Sequence, residues 1–226
     1  MRIFVTAATA MELNTISQHF KNALVNDVAD TTCFQATGIG MLASCFSLTK
    51  LIIEQSPDLV IQVGIAGAFK PETPIGSVVV VEQDCPGDIG VYENGSFNDL
   101  FQMGLDSGDT FPFTGRILRN PWLPKLELRG LSKVNGVTIN EISTSPERIN
   151  YLSARYNPAV ESMEGAALHY TCLQTNTPFL QFRSVSNLVG ERNKKHWNIP
   201  LALRNLAEQV ILFLEQLDQT NLKTLS

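Results

Sequence analysis

The sequence predicts an α/β protein. We expect one domain built as a three-layer sandwich, with a central mixed, mostly parallel sheet covered by helices on both faces. Three observations carry this expectation. Strand-like apolar runs alternate with amphipathic helical patterns along the chain, the order that builds helix-covered parallel sheets. The run "DLVIQVGIAGAF" is apolar without alternation, as in a strand buried on both faces. Finally, 226 residues that are 44% hydrophobic and 17% charged suffice for one large core, and no repeat divides them.

Taken in order, residues 2–8 ("RIFVTAA") read as the first strand. A helix over 11–23 follows, with Leu13, Ile16, Phe20 and Ala23 at helical spacing. "TTCFQATGIG" reads as a strand closing on a glycine turn, and 41–55 as a helix burying Leu42, Cys45, Phe46, Leu48, Leu51 and Ile52. The buried strand comes next, then a further strand in "SVVVVEQ". Near the other end, a helix over 163–175 leads into the central strand "PFLQFRSVSN". A last helix over 199–217 has Asn198 as its N-cap and Pro200 in its first turn. The stretch from about 85 to 120 interrupts this rhythm. It is rich in Gly, Asp, Asn and Pro and carries Tyr92, Phe97, Phe101, Phe111 and Phe113. A loop of that length is functional or disordered, and exposed aromatics there favour a functional or oligomer contact.

Composition excludes several classes. The net charge of −5, with no basic block longer than Lys194–Lys195, argues against nucleic acid as a partner. No apolar stretch reaches about 18 residues, and the first strand is not a signal peptide, so the protein is expected in the cytoplasm with no membrane partner. Four cysteines stand far apart without C-x-x-C spacing and read as buried free thiols. His19 and His196 have no ligand partners at metal spacing, and His169 lies among apolar residues as a core histidine. Neither a metal nor a cofactor is expected.

Ligands of open α/β sheets bind beyond the carboxyl ends of the strands. Glu12 stands there, one turn past the first strand, either compensating a helix dipole or facing a ligand. "VGIAGAF" brings Gly64, Ile65, Ala66 and Gly67 directly after the buried strand; glycines there either turn the chain or let backbone amides approach a ligand. In "VESMEGAALHY", Glu161 and Glu164 precede small residues at a helix start. Glu164 serves the dipole or accepts two vicinal hydroxyls such as those of ribose. Asn187 ends "RSVSN" as a turn residue or as an amide facing a ligand. Arg192 and Trp197, in the polar stretch "ERNKKHWN", stand where they could close over one.

Jointly, "AATAMEL", "TGIGMLAS", "VGIAGAF", "ESMEGAA" and "RSVSN" resemble the purine nucleoside phosphorylase and nucleosidase superfamily, in its branch of small bacterial nucleosidases. The resemblance runs from the first strand to the last helix and implies a nucleoside phosphorylase-like fold. Within the branch, "SMEGAA", Asn187 and the "DIGVYENG" insertion are most similar to the subgroup that hydrolyses futalosine in the alternative menaquinone pathway. The resemblance implies Glu12 as the water-activating base, Glu164 as acceptor of the ribose hydroxyls with Met163 under the sugar, and Arg183 and Ser186 as positioning groups. The family's usual general acid is an aspartate at the place of Asn187. An amide cannot pass on a proton, but its NH₂ donates to N7 and O6 of a 6-oxopurine such as hypoxanthine, whereas a protonated aspartate suits a 6-aminopurine. Phosphorylases of the superfamily carry an arginine where this chain has Gln62, which favours water over phosphate. Ile65 stands where the family often has a hydroxyl, so contacts there must come from the backbone. The rival readings are a methylthioadenosine/S-adenosylhomocysteine-type nucleosidase, a purine nucleoside phosphorylase and a non-catalytic purine-binding protein. The resemblance further implies a homodimer or larger homo-oligomer joined near the "TGIG" helix. The substrate's 5′ side would meet the aromatics of the long loop with Arg116, Arg119 or a neighbouring subunit.

Overall fold

The computed structural model describes residues 2–22, 31–128 and 130–217. Its elements follow the expected alternation. β1 (Ile3–Ala7) leads into α1 (Ala10–Asn22), β2 (Thr32–Ala36) into α2 (Met41–Gln55), and β3 (Leu59–Ala68) is followed by β4 (Val78–Asp84). After three short strands come β8 (Ser132–Thr138), α3 (Pro146–Tyr156) and β9 (Val160–Ser162), then α4 (Gly165–Gln174), β10 (Phe179–Leu188) and α5 (Ile199–Gln216). The three short strands are β5 (Gly90–Glu93), β6 (Ser96–Asp99) and β7 (Leu118–Arg119). Ala23, expected on the first helix, lies outside the described residues.

The sheet is mixed and mostly parallel. β1 pairs in parallel with β2 and β3, β3 with β10, β4 with β8, and β8 with β9. The antiparallel pairs are β10–β4, β3–β9 and β4–β7. Because β10 pairs with both β3 and β4, the run β3–β10–β4–β8–β9 closes back on β3. β3 and β10 are therefore central: the near-continuous apolar sequence of β3 follows from burial on both faces, and β10 is as deeply buried although it carries Gln181, Arg183 and Ser184. α1 and α5 pack against each other on one face; α2 packs on α4 on the other. The core joins Ile3, Val5, Ile16, Leu48, Leu51, Leu59, Ile61, Phe179, Phe182, Val210 and Leu214. Asn198 caps α5 by accepting from the Leu201 amide, and Pro200 stands in the first turn, where a missing N–H costs nothing.

Several expectations are corrected. Leu42 and Phe46 do not face the core: they are 87% and 71% exposed, and Ser44 is buried with Leu48, Leu51 and Ile52 instead. A face chosen by hydrophobicity alone misses that α2 is apolar on two sides. All four cysteines are free, but Cys33 is exposed on edge strand β2 and only Cys85 and Cys172 are buried. The stretch 85–120 is partly ordered as the β5–β6 hairpin and β7. Of its aromatics, Tyr92 and Phe111 are exposed, whereas Phe101 is buried edge-on against Phe113. Helix α4 begins at Gly165, leaving Glu164 as its N-cap residue. No helix among the described residues is long and apolar enough to cross a membrane.

Candidate active site

The carboxyl ends of β1, β3, β9 and β10 surround a cleft of about 230 Å³. Sequence order explains the convergence: parallel β1, β3 and β10 end on the same side, β1 and β3 on Ala7 and Ala68 and β10 through Ser186 and Asn187 before Leu188. Glu12, Ile65, Ala66, Gly67, Met163, Glu164, Ser186 and Asn187 all line this cleft. Gly64 and Arg183 lie beneath its floor rather than on it.

Arg183 is only 1% exposed, and its guanidinium has two polar partners and one close backbone neighbour. Its Nη2 donates to Gln62 Oε1 at 2.6 Å, its Nη1 stands 3.9 Å from Glu164 Oε2, and Gly64 abuts it from β3. A Cβ at position 64 would lie 2.2 Å from Arg183 Nη1 and 3.1 Å from Glu12 Oε1. Glycine is required there by close approach, not by a turn.

Glu12 is oriented at both oxygens. Oε2 accepts from the Thr9 amide at 3.0 Å and the Thr9 hydroxyl at 2.8 Å, and Oε1 from the Ile65 amide at 3.3 Å. The Ile65 amide is thus engaged by Glu12 within the protein. Glu164 Oε1 accepts from the Gly40 amide at 3.0 Å. Burial pushes the Glu164 carboxyl up from the usual range, while Arg183 and the Gly40 amide oppose that rise. The buried guanidinium favours the ionised form of this carboxyl against the desolvation that burial imposes.

Asn187 sits just past a β-bulge that shifts the β10–β3 register between Val185 and Asn187, which turns Ser186 and Asn187 both toward the cleft. Its Oδ1 accepts from Ser186 Oγ at 2.7 Å and its Nδ2 donates to the Leu188 carbonyl at 2.8 Å. One amide hydrogen remains for a ligand. Trp197 also lines the cleft, anchored by its Nε1 donating to the Glu191 carbonyl, with Arg192 5.6 Å over its ring. His169 is a core residue, bonded through Nδ1 to the Leu118 carbonyl and held neutral by burial, which pushes its pKa down to about 4.

Other lining residues escaped the sequence reading. Ile139, Ile142 and Val189 give the cleft its apolar walls. Ile139 and Ile142 belong to a stretch, 121–160, where no element was read, and the one available signal was the strand-like "SKVNGVTI" before them. Arg116 lines a different cavity beside Asp84 and Arg155, and Arg119 pairs with Gln83 in the β4–β7 ladder. Among the described residues, neither reaches the cleft.

Fold and cleft together define an α/β enzyme whose small, apolar-walled site carries two oriented carboxylates over a buried arginine. The model of the phosphorylase superfamily matches residues 9–217, and the chain belongs to that superfamily. It is 29% identical over 185 residues to a futalosine hydrolase of Thermus thermophilus, covering 77% of each chain. It is 27% identical over 205 residues to a 5′-methylthioadenosine/S-adenosylhomocysteine nucleosidase of Pseudoalteromonas translucida, covering 85% of this chain and 83% of that one. Among solved structures, a futalosine hydrolase mutant of Helicobacter pylori superposes with a TM-score of 0.79 at 18% identity, over 96% of this chain and all of that one.

Proposed function

We propose that this protein hydrolyses the N-glycosidic bond of a 6-oxopurine nucleoside, with futalosine as its substrate and hypoxanthine as the released base. The observation that carries the reading is the Asn187 amide. Ser186 engages its carbonyl oxygen and the Leu188 carbonyl takes one amide hydrogen, so the end left toward the cleft is a single N–H, a donor for an acceptor on the N7 and O6 edge.

The remaining geometry supports a stepwise loss of the base. Glu12 has both oxygens oriented at the cleft wall, the arrangement of a base that deprotonates a water at the anomeric carbon. Glu164 accepts the ribose hydroxyls, exchanging its bond to the Gly40 amide for theirs. Positive charge developing on the ribose is offset by these two carboxylates, and negative charge on the base by the Asn187 N–H. A well-placed donor to such charge contributes about 3 to 4 kcal/mol. No covalent nucleophile is required.

The similarity to methylthioadenosine/S-adenosylhomocysteine nucleosidases spans as much of the chain, and supports a 6-aminopurine substrate as the second reading. Turnover assays with futalosine, inosine and 5′-methylthioadenosine, followed by release of the free base, separate the two. Fast release of hypoxanthine from futalosine is expected; fast release of adenine with none of hypoxanthine would overturn the 6-oxopurine reading.

We further propose that the protein works as a homo-oligomer joined across α2. Ile39 is 64% exposed beside Leu42 and Phe46, an apolar stripe that begins at the cleft mouth. A second copy seated there would cover the stripe and wall the substrate's 5′ side. Light scattering of the purified chain tests this, and a monomer would refute it.

A further inference from the structure

Glu164 is the N-cap residue of α4 by position but not by bonding. Its carbonyl accepts the first intrahelical hydrogen bond, from the Leu168 amide at 3.2 Å, yet its side chain makes no capping bond. The carboxylate turns instead to the Gly40 amide and Arg183. An N-cap side chain ordinarily accepts from the second or third amide of its helix, and an acid there also offsets the helix dipole. Both tasks are therefore left open at α4, and two residues from other strands fill them.

The second amide of α4, that of Ala166, donates to Thr138 Oγ1 at 2.7 Å, and Thr138 Oγ1 donates to Asp84 Oδ1 at 2.9 Å. A hydroxyl has one hydrogen, so with it directed at Asp84 only lone pairs remain for the helix amide. Asp84 is held at both oxygens, Oδ1 accepting from the Cys85 amide as well and Oδ2 from Gln181 Nε2. It lies against the helix end: a Cβ on Gly165 would collide with Asp84 Oδ2, so α4 begins on glycine through close approach. Register sets the arrangement. Thr138 ends β8 opposite Ser162 of β9, two residues before Glu164, and its amide donates to the Cys85 carbonyl just past the end of β4. Thr138 and Asp84 are both fully buried. Burial pushes the Asp84 pKa up to about 6, a cost to the fold that a functional position accounts for.

We propose that Thr138 and Asp84 together form a surrogate N-cap for α4, positioning residues that leave the Glu164 carboxylate free to bind the substrate's sugar hydroxyls. The inference rests on the reading of Glu164 as acceptor of the ribose hydroxyls and deepens it. Thr138 meets the amide and Asp84 supplies negative charge at the helix N-terminus, so neither need draws Glu164 back onto its own helix. Without the Thr138 hydroxyl, the bare Ala166 N–H competes with the substrate for Glu164. Apparent affinity then falls with the fraction of molecules whose carboxylate is free, and the loss is confined to contacts with the sugar hydroxyls.

The test compares kcat/KM on a ribonucleoside and on its 2′-deoxy analogue, using futalosine or 5′-methylthioadenosine, whichever the wild type cleaves faster, with thermal melting to verify folding. In Thr138→Val, which keeps the shape without the hydroxyl, the ribo-over-deoxy ratio is expected to fall about tenfold, the equivalent of one capping interaction. Thr138→Ser restores the hydroxyl and is expected to return the ratio to its wild-type value. Asp84→Asn keeps an oxygen for Thr138 but removes the charge, so the ratio is expected to fall by about threefold; this variant decides the matter if Thr138→Val does not fold. In Glu164→Ala the ratio is expected to collapse, and adding Thr138→Val to it should change the ratio no further. A merely structural role would lower the melting temperature and weaken both sugars equally. That result, an unchanged ratio in folded Thr138→Val, or an unrestored one in Thr138→Ser overturns the inference, and an unchanged ratio in Asp84→Asn removes Asp84 from the cap. An equal loss on both sugars in Glu164→Ala sinks the ribose reading itself, and a wild type that cleaves neither nucleoside sinks the nucleosidase reading.

Discussion

Arg183 donates to the Gln62 side chain across two adjacent central strands, at 2.6 Å and out of contact with solvent. The pairing commits the guanidinium to a place beneath the cleft, where Gln62 and Glu164 face it, and among the described residues no arginine lines the cavity above. A phosphate dianion needs charge-assisted donors that this arrangement does not offer.

Added phosphate is therefore expected to leave the rate of base release unchanged. Product analysis should find free sugar and no ribose 1-phosphate derivative. Detection of the phosphorylated product would reassign the reaction as phosphorolysis.

Glu12 has its two oxygens held by Thr9 and the Ile65 amide. Glu12→Gln keeps the shape and removes the basicity, so kcat should fall by about 10² to 10⁴ with KM little changed. Near wild-type turnover would take Glu12 out of the chemistry.

Glu164 carries the proposed sugar contact. Glu164→Ala should weaken ribonucleosides far more than their 2′-deoxy analogues in kcat/KM. The same variant also strands the buried Arg183 charge, at a stability cost of about 3 to 5 kcal/mol, so the comparison is made below its melting temperature. An equal loss on both sugars would return Glu164 to the role of a helix N-terminal acid.

Asn187→Asp tests the base. The protonated carboxyl donates to N7 and accepts from an exocyclic amine, so activity on the 6-oxopurine should drop and relative activity on the matched 6-aminopurine should rise. Mismatched polar partners discriminate by up to about 10⁴. A base preference that does not move in this variant would show that Asn187 does not read the base.

Asp84 yields a prediction on stability. It is fully buried at the N-terminus of α4, where Thr138, Gln181 and the Cys85 amide donate to it, and Thr138 in turn accepts from the Ala166 amide. Burial nonetheless pushes its pKa up from 3.8 to about 6. Since the folded value exceeds the unfolded one, ionisation disfavours the fold. The group's contribution is most favourable below pH 3.8, declines as pH rises to about 6, and is constant above. The difference corresponds to roughly 3 kcal/mol. Lowering pH from 7 to 5 should therefore stabilise the wild type relative to Asp84→Asn by about 1 kcal/mol in urea titrations. Parallel pH dependence in the two proteins would refute the assignment.

Much of the fold was legible because strong local signals agreed with the tertiary result. The 41–55 helix, the cap at Asn198 and the doubly buried β3 and β10 follow from periodicity and capping chemistry. The stretch 121–160 was not legible: β8 begins with the exposed residues Ser132 and Lys133, β9 has three residues, and α3 carries a mostly polar surface. Short or half-exposed elements owe their existence to neighbours, which a single sequence does not display. The exposed side of α2 was misjudged for a related reason, since a helix apolar on two faces does not say which one the core takes.

The sequence by itself determined which residue types stand at the strand ends: Glu12, Glu164, Ser186 and Asn187, with Gln62 in place of an arginine. Those identities follow from chain order, because parallel strands deliver their carboxyl ends to one side. Tertiary structure alone decided that Arg183 lies under the cleft rather than in it, that Gly64 is small to admit its guanidinium, and that Glu161, Gly67 and Asn187 stand in one row of the sheet. These are relations between strands far apart in the chain. Pairing register, a bulge after Val185 and the limited space of a close-packed interior set them, and none of the three leaves a periodic mark in one strand's own sequence.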